Sequence, residues 1–152
     1  MRTVGHPAEL GTLAGAGLGV SSWHEVSREM VLSFAEITGD RQWVHVDPVR
    51  AAEGPFGAPI AHGFLVLGMT TALLDEVIQV EGASLVLNRG VRDARISAPV
   101  RAGDRIRARV TLASARSRPR GHWEAVYDVT VECSAERKPV TTLELVFLYR
   151  EA

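Results

Sequence analysis

The sequence predicts an α+β domain in which a curled antiparallel sheet wraps one long, buried helix. Two observations carry that expectation. From about His62 to Ile78 the chain is apolar on every side until Asp75, the pattern of an enclosed helix and not of one laid on a surface. From Ser84 onward apolar residues return at every second position, the period of half-buried strands. The links between those strands have hairpin lengths and turn residues, so the strands run as a meander that can close around the helix.

At 152 residues the default is a single domain over 1–152, and 46% hydrophobic residues suffice for a real core. Seventeen basic side chains balance 18 acidic ones, so neither nucleic acid nor a charged membrane surface is an expected partner. The single cysteine, Cys133, excludes an intrachain disulfide and a cysteine-based zinc cluster, and it fits a reducing cytosol. The first residues lack the continuous apolar core of a signal peptide, and the run Phe64 to Leu74 is too short to span a bilayer. A soluble, cytoplasmic protein is expected.

Residues 1–18 are glycine-rich and read as an irregular arm packed across the domain, with one helical turn near Ala8 to Ala14. Val20 to Val26 reads as a short edge strand. Ser27 is placed as the N-cap of a helix whose apolar residues Met30, Phe34 and Ile37 share a face, and Gly39 as its left-handed terminator. Asp47-Pro48 repeats the start signal, with Asp as cap and Pro at the first helical position, for a short helix ending before Gly54-Pro55. Asp40 and His45 therefore lie on a short non-helical link between two capped helices. After the central helix, Leu85 to Val91 and Ala94 to Ile96 form one strand region, with Gly90 as a bulge. Ile106 to Leu112, Trp123 to Cys133 and Leu143 to Tyr149 alternate as three further strands. The arginines at 105, 107 and 109 read as the solvent face of the first of these, or else as a site for phosphates or an acidic carrier protein.

An acid and a histidine five positions apart, followed by Ala61-His62-Gly63 at the start of an apolar helix, point to one kind of chemistry. A carboxylate and an imidazole can hold and deprotonate a water. A backbone N–H at a helix N-terminus can stabilise an oxyanion. Asp40 alone could instead make a turn hydrogen bond, His45 alone could be a bonded core histidine, Asp47 suits a cap, and His62 fixes a loop as readily as it touches substrate.

The run Phe34-Ala35-x-x-Thr38-Gly39-Asp40-x-Gln42-Trp43-x-His45-x-Asp47-Pro48, with Gly54-Pro55-Phe56-Gly57 and Ile60-Ala61-His62-Gly63, resembles the MaoC-like, R-specific enoyl-thioester hydratases. So do Asn88-Arg89-Gly90, Ser97-Ala98-Pro99-Val100 and Gly103-Asp104, and the likeness extends over roughly residues 18 to 149. The resemblance implies a hot-dog fold, a homodimer joined sheet edge to sheet edge, and no cofactor or metal. It implies reversible hydration of trans-2-enoyl thioesters of coenzyme A or acyl-carrier protein to (3R)-hydroxyacyl thioesters. Asp40 and His45 would hold the catalytic water, and Gly63 would donate its N–H to the thioester carbonyl. Gln42-Trp43 replaces the more usual Asn-Pro, and Arg89 stands where an aromatic residue is common. With Thr71 and Leu74 on the central helix, these are the candidate substrate-binding residues. Two rivals stand beside this reading. One is a hot-dog thioesterase, disfavoured because the helix carries acids only at its far end, in Asp75 and Glu76. The other is a non-catalytic acyl-binding subunit, disfavoured because the Asp/His pair is present.

Overall fold

The computed structural model describes residues 1–152. Its long sheet is built from β2 (Gly17–Val20), β5 (Ala83–Ile96), β6 (Arg105–Arg118), β7 (His122–Cys133) and β8 (Thr141–Glu151), in the order β2-β6-β7-β8-β5, with the short β3 (His24–Glu25) also on β6. The pairings are antiparallel throughout. Alternation does what it predicts: Ile106, Ala108, Val110 and Leu112 of β6 are buried, as are Tyr127, Val129 and Val131 of β7 and Leu143, Leu145 and Phe147 of β8. This concave face receives Val66, Thr70, Leu73 and Leu74 of the central helix, α4 (Gly63–Asp75). No helix is long and apolar enough to cross a membrane.

The two apolar segments expected around Gly90 are joined into one strand, β5, whose register on β8 shifts at Ala83/Leu85, Asn88/Gly90 and Arg92/Arg95. The shift at Gly90 is the expected bulge, and the Asn88 side chain accepts from the Gly90 N–H at 3.1 Å. The N-terminal arm is not irregular. It pairs β1 (Arg2–Val4) in parallel with β4 (Ile78–Val80) and then forms a 3-10 helix, Pro7–Leu13, whose Leu10 is completely buried. Glycine content hid this because the segment is held by tertiary burial and not by its own propensity. The single strand expected over Val20 to Val26 is split into β2 and β3.

The central helix is shorter than its apolar run. His62 is its cap and Ile78 already belongs to β4. Nor is it enclosed: Phe64, Gly68 and Ala72 form an exposed line at helical spacing, with Phe64 75% accessible. One curled sheet covers one side of a helix. The uncovered side runs antiparallel along β5, since Gly63 meets Ile96 at one end while Thr71 and Asp75 share a cavity with Val86 and Asn88 at the other. The side exposed here continues on β5 through Val86, Val91 and Ile96, while the exposed Leu85 and Leu87 lie on the opposite face of the strand.

The far end of α4 is tied down by Glu76. Its carboxylate accepts from the Ser22 N–H at 2.9 Å and the Ser22 hydroxyl at 2.6 Å, and it contacts the His24 imidazole. The Ser22 hydroxyl and N–H bonds, helped by His24, hold this carboxyl below its ordinary value of 4.5. A carboxyl depressed by folding adds stability that is complete above its unfolded pKa and is lost as pH falls through its folded one. Glu76→Gln should therefore be less stable than wild type at pH 7, and the gap should close on acidification below about pH 4.5. Denaturant midpoints followed from pH 7 to pH 3 measure this, and a pH-independent gap would contradict it.

Candidate active site

The site is assembled from two helix ends and a turn. Ser27 caps α1 (Arg28–Thr38) by accepting from the Met30 N–H, and Gly39 ends it at φ 77°, returning its N–H to Ala35. The buried face of α1 is Val31 and Ala35, with Met30 and Phe34 half-buried. Ile37, expected on that face, is 83% exposed. The chain leaving Gly39 is Asp40, whose side chain is 55% exposed. The link to Asp47 is not wholly irregular, because Trp43–Val46 forms one helical turn, α2. His45 sits inside this turn and is 7% exposed. Asp47 then caps α3 (Pro48–Ala52), accepting from Val49 and Arg50.

Two cross-links hold α2 in place. The Arg28 guanidinium donates to the carbonyls of His45 and Val46, the latter at 2.7 Å, placing a cation on the negative end of the turn. The Ile60 N–H donates to the Val44 carbonyl at 3.0 Å, while the Ala61 N–H bonds Val100 at 2.7 Å. The loop before α4 is thereby laced to α2 on one side and to the segment before β6 on the other. Arg28 carries no sequence signal: it is seventeen residues from His45, in the first turn of a helix where a basic side chain is ordinary.

His45 Nδ1 lies 2.7 Å from the Ile60 carbonyl. A carbonyl only accepts, so Nδ1 carries the hydrogen and Nε2 presents a lone pair. That Nε2 is 4.0 Å from Asp40 Oδ2. This is too long for a direct hydrogen bond, but one oxygen making two bonds of about 2.8 Å spans roughly this gap. His45 also lines a cavity of about 290 Å³ with Gly63, Ile96, Ser97 and Thr141. Its remaining walls, Ile60, Ala61, Val66, Ala98, Pro99 and Val100, are mainly apolar. Gly63 opens α4, and Leu65 and Val66 return their N–H groups to His62, which leaves the Gly63 N–H among the free donors of the helix start. His45 and the free Gly63 N–H thus share one apolar-walled hollow, and Asp40, which does not line it, stands 4.0 Å from His45 Nε2.

His62 was left outside the candidate set by sequence reasoning, and it is at the centre. Its Nε2 lies 2.9 Å from the Asp40 carbonyl, and its ring stacks on that of His45 with centroids 3.7 Å apart. Ligand atoms of Asp40, His45 and His62 all lie within 4.8 Å of one another. A metal ligated through His62 Nε2 would require that nitrogen to surrender its bond to Asp40.

The structure sets Asp40 beside His45 and His45 beside Gly63; of the substrate-binding candidates, Gln42 adjoins this group and the other four do not line its hollow. Gln42 is exposed at the start of α2, its N–H 3.4 Å from Asp40 Oδ1. Trp43 packs against Gly54, where even a Cβ would come within 3.0 Å of the indole, and carries Arg50 over its ring at 4.5 Å. Leu74 is buried core. Thr71 opens onto a separate cavity of about 580 Å³ with Asp75, Gln79, Asn88 and Tyr149, where burial pushes the Asp75 carboxyl up and the Tyr149 hydroxyl up to about 12. Arg89 lies in a different hollow, with Arg118, Arg120, His122 and Glu124. Of the arginine stripe, Arg107 and Arg109 both pair with Glu132, and Arg107 also lies over Trp23.

Residues 10–133 match the model of the MaoC like domain. The chain belongs to the MaoC-like family. It is 40% identical over 149 residues to the 3-hydroxyacyl-thioester dehydratase Z of Mycobacterium tuberculosis, covering 98% of this chain and 99% of the relative. It is 37% identical over 137 residues to nodulation protein N of Rhizobium meliloti, covering 89% and 85%. Among solved structures, the unliganded R-hydratase PhaJ1 of Pseudomonas aeruginosa superposes with a TM-score of 0.72 at 24% identity, covering 90% of this chain and 82% of that one. The fold of this MaoC-like chain is the hot-dog: a curled antiparallel sheet around a central helix.

One close contact inside the site involves a glycine. A Cβ on Gly63 would run into the Ile96 side-chain tip and lie 3.3 Å from its Cγ1. That tip is the free end of a side chain 52% exposed, so it can swing to another rotamer. Gly63→Ala should therefore cost less than about 1 kcal/mol in stability, read by thermal unfolding. A larger loss would show that Ile96 cannot yield.

Proposed function

We propose that this MaoC-like chain interconverts trans-2-enoyl and (3R)-hydroxyacyl thioesters by adding or removing water. The observation that carries the reading is the 4.0 Å gap between His45 Nε2, held as a lone pair by the Ile60 carbonyl, and Asp40 Oδ2, beside the free N–H of Gly63. A relative named as a 3-hydroxyacyl-thioester dehydratase, matched end to end at 40% identity, supports it. The (3R) stereochemistry rests on the motif from Phe34 to Pro48.

In the hydration direction a water sits between Asp40 and His45. Asp40 accepts one of its hydrogens and orients it. His45 Nε2 takes the other proton as the water oxygen bonds to C3 of the enoyl thioester. The C2–C3 π electrons move toward the thioester carbonyl, whose developing oxyanion meets the Gly63 N–H at the positive end of α4. The proton on His45 then passes to C2, and the imidazole returns to its starting state. Dehydration runs the same steps backward. The thioester is carried by coenzyme A or by acyl-carrier protein.

A thioesterase draws less support. Asp75 and Glu76 stand at the far end of α4, and neither reaches the hollow that holds His45 and Gly63. Glu76 is spent on Ser22 and His24. Asp40→Asn and His45→Gln should each lower hydration of a short enoyl-CoA by at least about 100-fold while leaving the fold intact. Loss of enoyl absorbance is the assay, and wild-type rates from folded variants would remove both residues from the mechanism.

The acting species is a homodimer joined along β5. One edge of β5 is paired with β8 and the other is unpaired over a 14-residue strand bearing Leu85, Leu87 and Val91, with Phe64 exposed alongside. Such an edge invites a second strand. Wild type should have twice the chain mass by light scattering, and Val91→Arg should halve it. A monomeric wild type, or a Val91→Arg dimer, would count against this interface.

A further inference from the structure

We propose that His62 is a positioning residue that locks the carboxylate-bearing segment to the oxyanion donor, an inference that rests on the hydratase reading above. The argument begins with the position. His62 is the N-cap of α4, with φ −61° and ψ 137°, and its side chain makes no capping bond. Serine, threonine, aspartate or asparagine there would satisfy a free N–H of the first turn and add stability. The imidazole reaches away from the helix instead, to the main chain of Asp40, twenty-two residues earlier.

The chemistry of that contact fixes the ring. The Asp40 carbonyl can only accept, so Nε2 is the protonated nitrogen of His62. Nδ1 is buried and has no hydrogen-bond partner. A hydrogen on Nδ1 would be a buried donor without an acceptor, so the neutral Nε2–H tautomer is the one the surroundings accommodate. His62 is 3% exposed, with Phe34 against it at 5.0 Å between ring centroids and His45 on it at 3.7 Å and 22° between planes. It therefore cannot turn to offer the other nitrogen without displacing both neighbours.

Three consequences meet at the reacting atoms. The bond to the Asp40 carbonyl sets where Asp40 leaves the Gly39 terminator. The stack sets one face of the His45 ring, whose edge is already held by Ile60. The peptide that follows His62 carries the Gly63 N–H. One side chain thus relates base, acid and oxyanion donor, and both imidazole Nε2 atoms sit 4.0 Å from Asp40 Oδ2. His62 need not touch substrate to do this.

The test separates the bond from the bulk. His62→Phe keeps an aromatic ring between Phe34 and His45 and deletes the donor. His62→Gln keeps an N–H near the Nε2 position and gives up the stack. For enoyl-CoA hydration by folded, dimer-matched samples, His62→Phe should lower kcat about 100-fold with KM changed less than about 3-fold, as expected when reacting groups are displaced and substrate contacts are not. His62→Gln should recover most of that loss. Nitrogen-15 histidine NMR of wild type, with the His62 signals identified by their disappearance in His62→Gln, should report the neutral Nε2–H tautomer. Full turnover in folded His62→Phe, equal damage in His62→Gln, or an Nδ1–H tautomer would each overturn this inference alone. Absence of any turnover in wild type would overturn it together with the hydratase reading. If His62→Phe fails to fold, the tautomer and the His62→Gln kinetics decide the matter.

Discussion

The structure depends on burying one face of α4 against a sheet that curves around it. An apolar helix of this kind has almost no polar face to offer water, so its burial supplies much of the drive to fold. The inward rows of β6, β7 and β8 provide the concave surface, and Leu73 and Leu74 sit at its centre, almost wholly inaccessible. Once α4 is placed, its N-terminus has one location, and the loop in front of it must reach the segment before β6, where Ala61 bonds Val100. The same loop bonds Val44 through Ile60, which draws the turn carrying His45 to the helix start. The site is the place where these obligations converge.

Local satisfaction of backbone groups does the remaining positioning. Gly39 can end α1 in a left-handed conformation at no steric cost, so the chain turns within one residue and Asp40 emerges beside His62. Asp47 closes the other side by capping α3. Arg28 donates to the two carbonyls at the end of α2. A seven-residue connection, Asp40 to Val46, is held at both ends and in the middle, which is how a link between helices gives the geometric precision of a helix.

Much of this was legible in the sequence, and the reasons differ by element. The caps at Ser27, Gly39 and Asp47 and the bulge at Gly90 were readable because each rests on one residue's own conformational preference. The three long strands were readable because their alternation is strict. The N-terminal arm was not, since the 3-10 helix bearing Leu10 packs on β6, β7 and β8, far along the chain, and the glycines around it carry no period. Ile37 was misplaced on the buried face because α1 meets the body of the protein along a narrow strip, Val31 and Ala35, where small size counts for more than hydrophobicity. Within the site, Asp40, His45 and Gly63 form a recognisable pattern. Arg28 and the stacked His62 act through main-chain carbonyls, and contacts to carbonyls leave no residue-type signature in a sequence.

The uncovered side of α4 follows from the same burial that makes the fold. A sheet of six long and short strands can cover a helix on one side, and here the sheet stops at β5 with its outer edge unpaired. Apolar residues on all sides of the helix therefore state more than one chain can satisfy. Phe64 lies one position beyond Gly63, and Ile96 both touches Gly63 and ends β5. The surface that calls for a partner is thus continuous with the wall of the hollow holding His45. A second copy laid along β5 would bury that surface and close the hollow in one step, excluding bulk water from a reaction that needs a single water. In the proposed dimer, assembly and chemistry would answer to the same stretch of apolar surface.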